Sequence, residues 1–106
     1  MRDNHSTLLV LKVSGELVGS VMCGEDGHRG WVYYMCTHPN HQGHGYGNKL
    51  LAAAEEWLAK RNIWKVQLLV RADNTNALGF YENAGYLDTQ SVCLQKKIIP
   101  TDDFEV

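Results

Sequence analysis

A chain of 106 residues with ten basic and twelve acidic side chains, formal charge -2, can hold one domain and one core, and leaves no room for a separate substrate domain. Apolar residues make up 44% and charged residues 21%, the balance of a globular protein rather than of a disordered or membrane segment. The near-neutral charge argues against a general nucleic-acid binder and against a polybasic membrane anchor.

Residues 8–24 are rich in Leu and Val and are broken once, at Ser14-Gly15, a turn signal between apolar runs that predicts a β-hairpin. Glu25-Asp26-Gly27 and Gly30 make a second turn. Trp31-Val32-Tyr33-Tyr34-Met35 then favours another strand through its aromatic and β-branched content, giving three antiparallel strands in a row. His38-Pro39-Asn40 closes that strand. Leu50, Leu51, Ala54, Trp57 and Leu58 recur at helical spacing and predict an amphipathic helix to about Arg61, with Glu56 and Lys60 four apart on its solvated face. Residues 65–71 alternate as a mostly buried strand. Asp73-Asn74-Thr75-Asn76 offers several helix caps, and Ala77, Phe80, Tyr81 and Ala84 line one face of a short helix ending at Gly85. A last strand is expected over 91–98, followed by an acidic, mobile tail over 100–106.

Neither the apolar runs nor the N-terminus reads as a membrane span or a leader, so the expected location is the cytoplasm. Cys23, Cys36 and Cys93 are odd in number and none forms a CxxC pair, which points to free thiols rather than a disulfide framework.

The stretch Gln42-Gly43-His44-Gly45-Tyr46-Gly47 lies between a predicted strand and a predicted helix. Glycines let backbone approach a ligand closely, and successive N–H groups at a helix N-terminus suit a phosphate or pyrophosphate. An ordinary flexible turn would look the same. The spacing fits neither the P-loop nor the dinucleotide fingerprint. His38, His41 and His44 recur every third residue behind Cys36, but a glycine-rich loop does not hold helical histidine spacing, and no metal site is expected.

Gln42-x-x-Gly45-x-Gly47 resembles the Q/R-x-x-G-x-G/A pyrophosphate loop of the GNAT acyltransferases. At the expected distance, Asn74-x-x-Ala77-x-x-x-Tyr81-x-x-x-Gly85-Tyr86 resembles the family's Asn-Ala-Tyr-Gly-aromatic signature. The resemblance runs from about Leu8 to about Ile98, and residues 18–30 are similar to the bacterial YpeA-type branch. It implies an α/β, GNAT-like fold: a mixed, mostly antiparallel sheet whose central strands splay, with flanking helices. Residues 1–106 would be a single acetyltransferase domain lacking the family's usual N-terminal strand and helices.

Carried over by residue, the resemblance implies that Met35, Cys36 and Thr37 present strand backbone to the pantetheine arm of acetyl-CoA. Gln42, Gly43, His44, Gly45, Tyr46, Gly47 and Asn48 would form and wrap the pyrophosphate site. Asn74 would hold the cofactor near its reactive end, and the Tyr81 hydroxyl would protonate the departing thiolate as general acid. Without the motif, Tyr81 reads as a core aromatic. Many members carry a Glu on the strand before the second motif as base, and Leu69 stands there in this chain. Glu25, Asp26, His28 and Asp73 are possible substitutes, each also readable as a solvated turn residue. Cys36 as a nucleophile lacks a nameable base.

The implied activity is direct transfer of an acetyl group from acetyl-CoA to a primary amine, on a small molecule or a protein, without a metal. The rival is a non-catalytic acyl-CoA-binding or regulatory module, suggested by the missing base and the short N-terminus. Only seven residues precede the hairpin, and apolar surface left uncovered there predicts a homodimer through the hairpin or the edge strands.

Overall fold

The computed structural model describes residues 5–99. Strands β1 (Ser6–Val13), β2 (Glu16–Glu25) and β3 (Gly30–Thr37) follow one another, and a 3-10 turn at Pro39–His41 leads into helix α1 (Tyr46–Ala59). Strand β4 (Val66–Leu68) and helix α2 (Thr75–Asn83) complete the elements. The sheet order is β1-β2-β3-β4. The first two pairings are antiparallel and the third is parallel.

The hairpin turns on two residues, Ser14 at φ 53 and Gly15 at φ 83. That pair of positive φ values is the two-residue connection whose twist matches antiparallel strands. The next turn is fixed by its acids. Asp26 Oδ1 accepts from the N–H groups of His28 and Arg29 at 3.0 and 2.9 Å, and Glu25 Oε1 accepts from Gly27 at 2.7 Å.

Helix α1 lies on one face of the sheet. Its buried residues Leu50, Leu51 and Ala54 join Val21, Cys23 and Val32 in the core, and Leu58 is fully buried beside them. Burying each leucine is worth roughly 1.5–3 kcal/mol, so this one stripe supplies most of what holds helix to sheet. Two glycines set the approach. A Cβ on Gly30 would meet Leu58 Cδ1 at 2.7 Å, and one on Gly19 would meet Leu50 Cδ1 at 2.9 Å and the Cys36 carbonyl at 2.8 Å.

Helix α2 is capped by Asn74, whose Oδ1 accepts from Ala77 N–H at 3.2 Å. Past its C-terminus, Gly85 takes φ 98 and Tyr86 N–H returns to the Tyr81 carbonyl at 2.9 Å, closing the helix.

Two expectations are corrected. The strand predicted over 65–71 pairs only as Val66–Leu68, and Leu69 is 73% exposed. The ladder to β3 ends at Val32 opposite Leu68, while β3 runs on to Thr37, so beyond that point the two strands have parted. The strand expected over 91–98 is not formed: residues 87–99 belong to no helix or strand and are all exposed, because a strand needs a ladder partner and the arm has none among the described elements. The predicted tail over 100–106 lies outside the described residues. Cys23 is a buried free thiol, and Cys36 and Cys93 are exposed ones. No helix among the described residues is long and apolar enough to cross a membrane.

The glycine contacts make opposite predictions at two positions. Gly30→Ala forces a methyl into Leu58 and should destabilise the fold by about 1–3 kcal/mol. Gly79, within α2, has nothing within 4 Å of an added Cβ. Gly79→Ala should stabilise by about 0.5–1 kcal/mol through helix propensity and reduced chain entropy. Urea unfolding midpoints of the two variants should move in opposite directions from the parent chain.

Candidate active site

The loop between β3 and α1 folds around a cavity of about 300 Å³. Seven of the residues singled out in the sequence line it: Thr37 at the end of β3, Gln42, Gly43 and Gly45 in the loop, and Tyr46, Gly47 and Asn48 in the first turn of α1. His41 and Phe80 complete the wall. The sequence marks His41 only as one of three loop histidines and Phe80 only as a residue of a helix face; the 3-10 segment turns the first to the cavity and α2 brings the second. Phe80 lies against the start of α1, where a Cβ on Gly47 would meet its ring at 3.3 Å.

Gly43 and Gly45 hold φ of 87 and 77, with open space where a side chain would stand. Gly45 is the N-cap of α1 and offers no side-chain cap, and no acidic residue occupies the first turn. The leading N–H groups of a helix have no intrahelical acceptor, and with the helix dipole they favour an anion at this end. The cavity is bounded by these residues, and no carboxylate belongs to its lining, although Glu16 pairs with His41 of the wall.

The other predicted residues, Met35, Cys36, His44, Asn74 and Tyr81, do not line this cavity and have separate engagements. Met35 is half-buried on β3 and reaches the side of Gly47 that faces Phe80. Cys36 is exposed on β3. His44 is exposed and stacks on Tyr46, ring centroids 5.5 Å apart, outside the cavity lining. Asn74 spends its side-chain oxygen on capping α2.

Tyr81 is half-buried on α2 among Phe80 and Tyr86, with centroids at 5.0 and 5.7 Å in edge-to-face contact. Burial pushes its phenol above the usual tyrosine value, so it stays protonated to high pH. Its neighbour differs: the Tyr86 hydroxyl donates to Glu55 Oε2 at 2.6 Å, and burial together with that carboxylate raises its pKa further. This pairing, 31 residues apart in sequence, left no local signal.

The acids considered as bases are already occupied. Glu25 accepts from Gly27 N–H, His5 and Arg61, and those bonds, the backbone one foremost, hold its carboxyl below the ordinary range. Asp26 is likewise lowered, first by the Arg29 N–H and then by that of His28. Asp73 faces Arg71 at 3.5 Å, and His28 is an exposed turn residue.

Each of the three loop histidines has a partner, and the rings of His38 and His41 also meet edge to face with centroids 5.6 Å apart. His38 Nδ1 accepts from Asn40 N–H at 3.2 Å, His41 Nε2 pairs with Glu16 Oε1 at 2.7 Å, and His44 stacks on Tyr46. Among the described residues no three His, Cys, Asp or Glu side chains gather where a metal ion could be held.

The family model described as the acetyltransferase (GNAT) family matches residues 1–86 of this chain. The chain is 41% identical over 103 residues to acetyltransferase YE1169 of Yersinia enterocolitica, covering 95% of this chain and 73% of that relative. Its fold is similar to that of AAC(6')-Iy, solved with a bisubstrate analogue of CoA and acetylneamine, at TM-score 0.84 and 14% identity over 92% of this chain and 73% of the other. It is similar also to a ribosomal-protein-alanine N-acetyltransferase from Brucella melitensis, at TM-score 0.75 and 20% identity over 91% and 76% of the two chains. The aminoglycoside acetyltransferase meta-AAC0020 of an uncultured soil metagenomic sample, solved with sisomicin, overlays at TM-score 0.82 and 17% identity over 92% and 69%.

The left-handed backbone at Gly45 carries a cost for any side chain. Gly45→Val should destabilise the fold by about 1–3 kcal/mol through strain alone, since the space around the position is open. Gly45→Asn should recover part of that loss, because Asn tolerates the left-handed region far better. Equal thermal midpoints for the two variants would refute the assigned backbone conformation.

Proposed function

The chain belongs to the acetyltransferase (GNAT) family, and on that premise we propose that it transfers the acetyl group of acetyl-CoA to a primary amine, with Tyr81 as general acid. The observation that carries this reading is the cavity at the N-terminus of α1, bounded by two left-handed glycines and lying at the end of β3, past the point where β3 and β4 part. The pyrophosphate of the cofactor would take the first-turn N–H groups. The pantetheine arm, which carries amides, would run along the β3 backbone at Met35, Cys36 and Thr37.

In the reaction the amine nitrogen attacks the thioester carbonyl carbon, and a C–N bond forms as the C–S bond breaks. The sulfur leaves with the bonding pair and takes the Tyr81 proton. The acylated nitrogen gives up one proton to water, and the phenolate recovers one from solvent. Amide and free thiol are the products, and no redox step is involved. Tyr81 holds its proton through the working pH range, the state in which a general acid must meet the thiolate, although burial makes the phenol a weaker donor. Since Glu25, Asp26 and Asp73 are held by other partners, the acceptor would enter as the neutral amine.

The solved relatives named for N-acetyl transfer to aminoglycosides and to a ribosomal-protein alanine support nitrogen as the acceptor atom. A small or protein-borne primary amine fits both. The occupied acids and the exposed Leu69 favour a second reading, an acyl-CoA-binding module without turnover. Acetyl-CoA consumption against a panel of amines separates the two.

Three measurements are expected to agree. Calorimetry should show CoA binding at least ten-fold tighter than pantetheine, because pantetheine lacks the pyrophosphate. Tyr81→Phe should keep that affinity while turnover falls by roughly 10²-fold or more. The pH profile of the parent should rise through the acceptor's own pKa and fall only as pH passes the raised value of Tyr81, above the usual tyrosine range near about 10. Wild-type turnover in Tyr81→Phe would remove Tyr81 from the mechanism.

A further inference from the structure

Helix α2 carries the proposed acid on few anchors. None of its residues is buried, and among the described residues only one hydrogen bond or ion pair joins 74–86 to another helix or strand. In that bond the Tyr86 hydroxyl donates to Glu55 Oε2 on α1 at 2.6 Å, the short distance of a hydroxyl meeting a charged acceptor, and such bonds are stronger than neutral ones. Apolar contacts supply the rest: Phe80 lies against Gly47, and Phe80, Tyr81 and Tyr86 pack at the edge of the core.

Glu55 stands on a well-fixed part of the molecule. It lies on α1 between Leu50, which meets Gly19, and Leu58, which meets Gly30. The same helix begins at the wall of the cavity. From Glu55 the connection to Tyr81 is short. Tyr86 is held at its hydroxyl by Glu55 and at its N–H by the Tyr81 carbonyl, 2.9 Å away, and its ring meets the Tyr81 ring edge to face with centroids 5.7 Å apart. The Tyr81 hydroxyl has no hydrogen-bond partner among the described residues, so ring packing sets where it sits. The two phenols are thereby divided in role. A hydroxyl has one proton to donate, and that of Tyr86 goes to Glu55, whereas that of Tyr81 is uncommitted.

We propose that Glu55 is a positioning residue for acetyl transfer: by holding the Tyr86 hydroxyl it fixes the ring on which Tyr81 rests, and so sets the place of the Tyr81 hydroxyl relative to a cofactor seated at the start of the same helix. The inference rests on the acetyl-transfer reading with Tyr81 as acid. Glu55 is not part of the cavity wall and acts through Tyr86. Its effect is geometric, because a donor must lie within hydrogen-bond reach of the leaving sulfur, and a misplacement of about 1 Å can lower a rate by as much as about 10²-fold.

Steady-state turnover of acetyl-CoA with the fastest amine of the panel, calorimetry with CoA, and NMR of the chain with ring-labelled tyrosine test it. Glu55→Ala and Tyr86→Phe should each lower kcat about ten-fold, while CoA affinity stays within about two-fold and far-ultraviolet dichroism is unchanged. Glu55→Gln keeps an acceptor oxygen and should recover much of the loss. In a Tyr81→Phe background, Glu55→Ala should lower kcat no further, because the proton it helps to place is gone. The Tyr81 ring resonance should shift in Glu55→Ala whether or not the chain turns over. Parent kcat in folded Glu55→Ala or Tyr86→Phe would overturn the proposal. So would a fall in CoA affinity matching that in kcat, a full further loss in the Tyr81→Phe background, an unmoved Tyr81 resonance, or variants too unstable to fold, each of which would make the bond a structural tie only. Absence of turnover by the parent, or parent turnover in Tyr81→Phe, would overturn it by removing the reading beneath it; both are measured in chains that keep Glu55, so the two failures are distinct.

Discussion

The close approach of α1 to the sheet is the constraint on which the remaining geometry depends. Leu50 descends onto Gly19 and Leu58 onto Gly30, one near each end of the helix, and neither contact has room for a methyl group. Two fixed points along a 14-residue helix set its height and direction over β2 and β3. Because the N-terminus of α1 is thereby held close to Thr37, the connecting loop must turn sharply, and Gly43 and Gly45 take up the left-handed backbone that the turn requires. The glycine-lined turn at the N-terminal end of the helix is thus a consequence of core packing. Phe80 closes the arrangement by resting α2 on the first turn of α1.

At the opposite end of α1 the charges do structural work. Glu25 joins the end of β2 to His5 and to Arg61, and Arg61 lies over the Trp57 ring with 4.3 Å between guanidinium carbon and ring centroid. Glu25 is only 9% exposed at its side chain, so its bonds are shielded from solvent more than those of the surface pairs Lys60–Glu56 and Arg71–Asp73. A shielded carboxylate already accepting from a backbone N–H and two cationic or ring donors has little capacity left to take a proton from a substrate. Glu25 is for that reason part of the scaffold.

Much of this was legible in the sequence. Ser14-Gly15 marked the hairpin, the spacing of Leu50, Leu51, Ala54 and Leu58 marked the helix and its buried face, and the Gln42–Gly47 pattern located the loop that the cavity adjoins. Local signals of this kind depend on residues a turn or a strand apart. What was not legible depends on distant parts of the chain. The alternation over 65–71 predicts a strand wherever a partner accompanies it, but the partner leaves at Val32, so pairing stops after three residues. The strand expected over 91–98 finds no ladder among the described elements. Glu16 meeting His41, and Glu55 meeting Tyr86, join elements whose proximity only the fold creates. The assigned roles of Asn74 and Tyr81 came from a motif, and the physical surroundings add a cap for the first and a raised, protonated phenol for the second.

The parting of β3 and β4 has two consequences with one cause. Where parallel strands diverge, the backbone groups that would have bonded across the gap must find water or a ligand, since leaving them buried and unmet costs about 1–3 kcal/mol each. Tyr33, Tyr34 and Cys36 on this stretch of β3 are exposed, which is the condition under which the gap is tolerable in the unliganded chain. The same divergence shortens β4 to three residues, too little to hold a further strand firmly by ladder bonds alone.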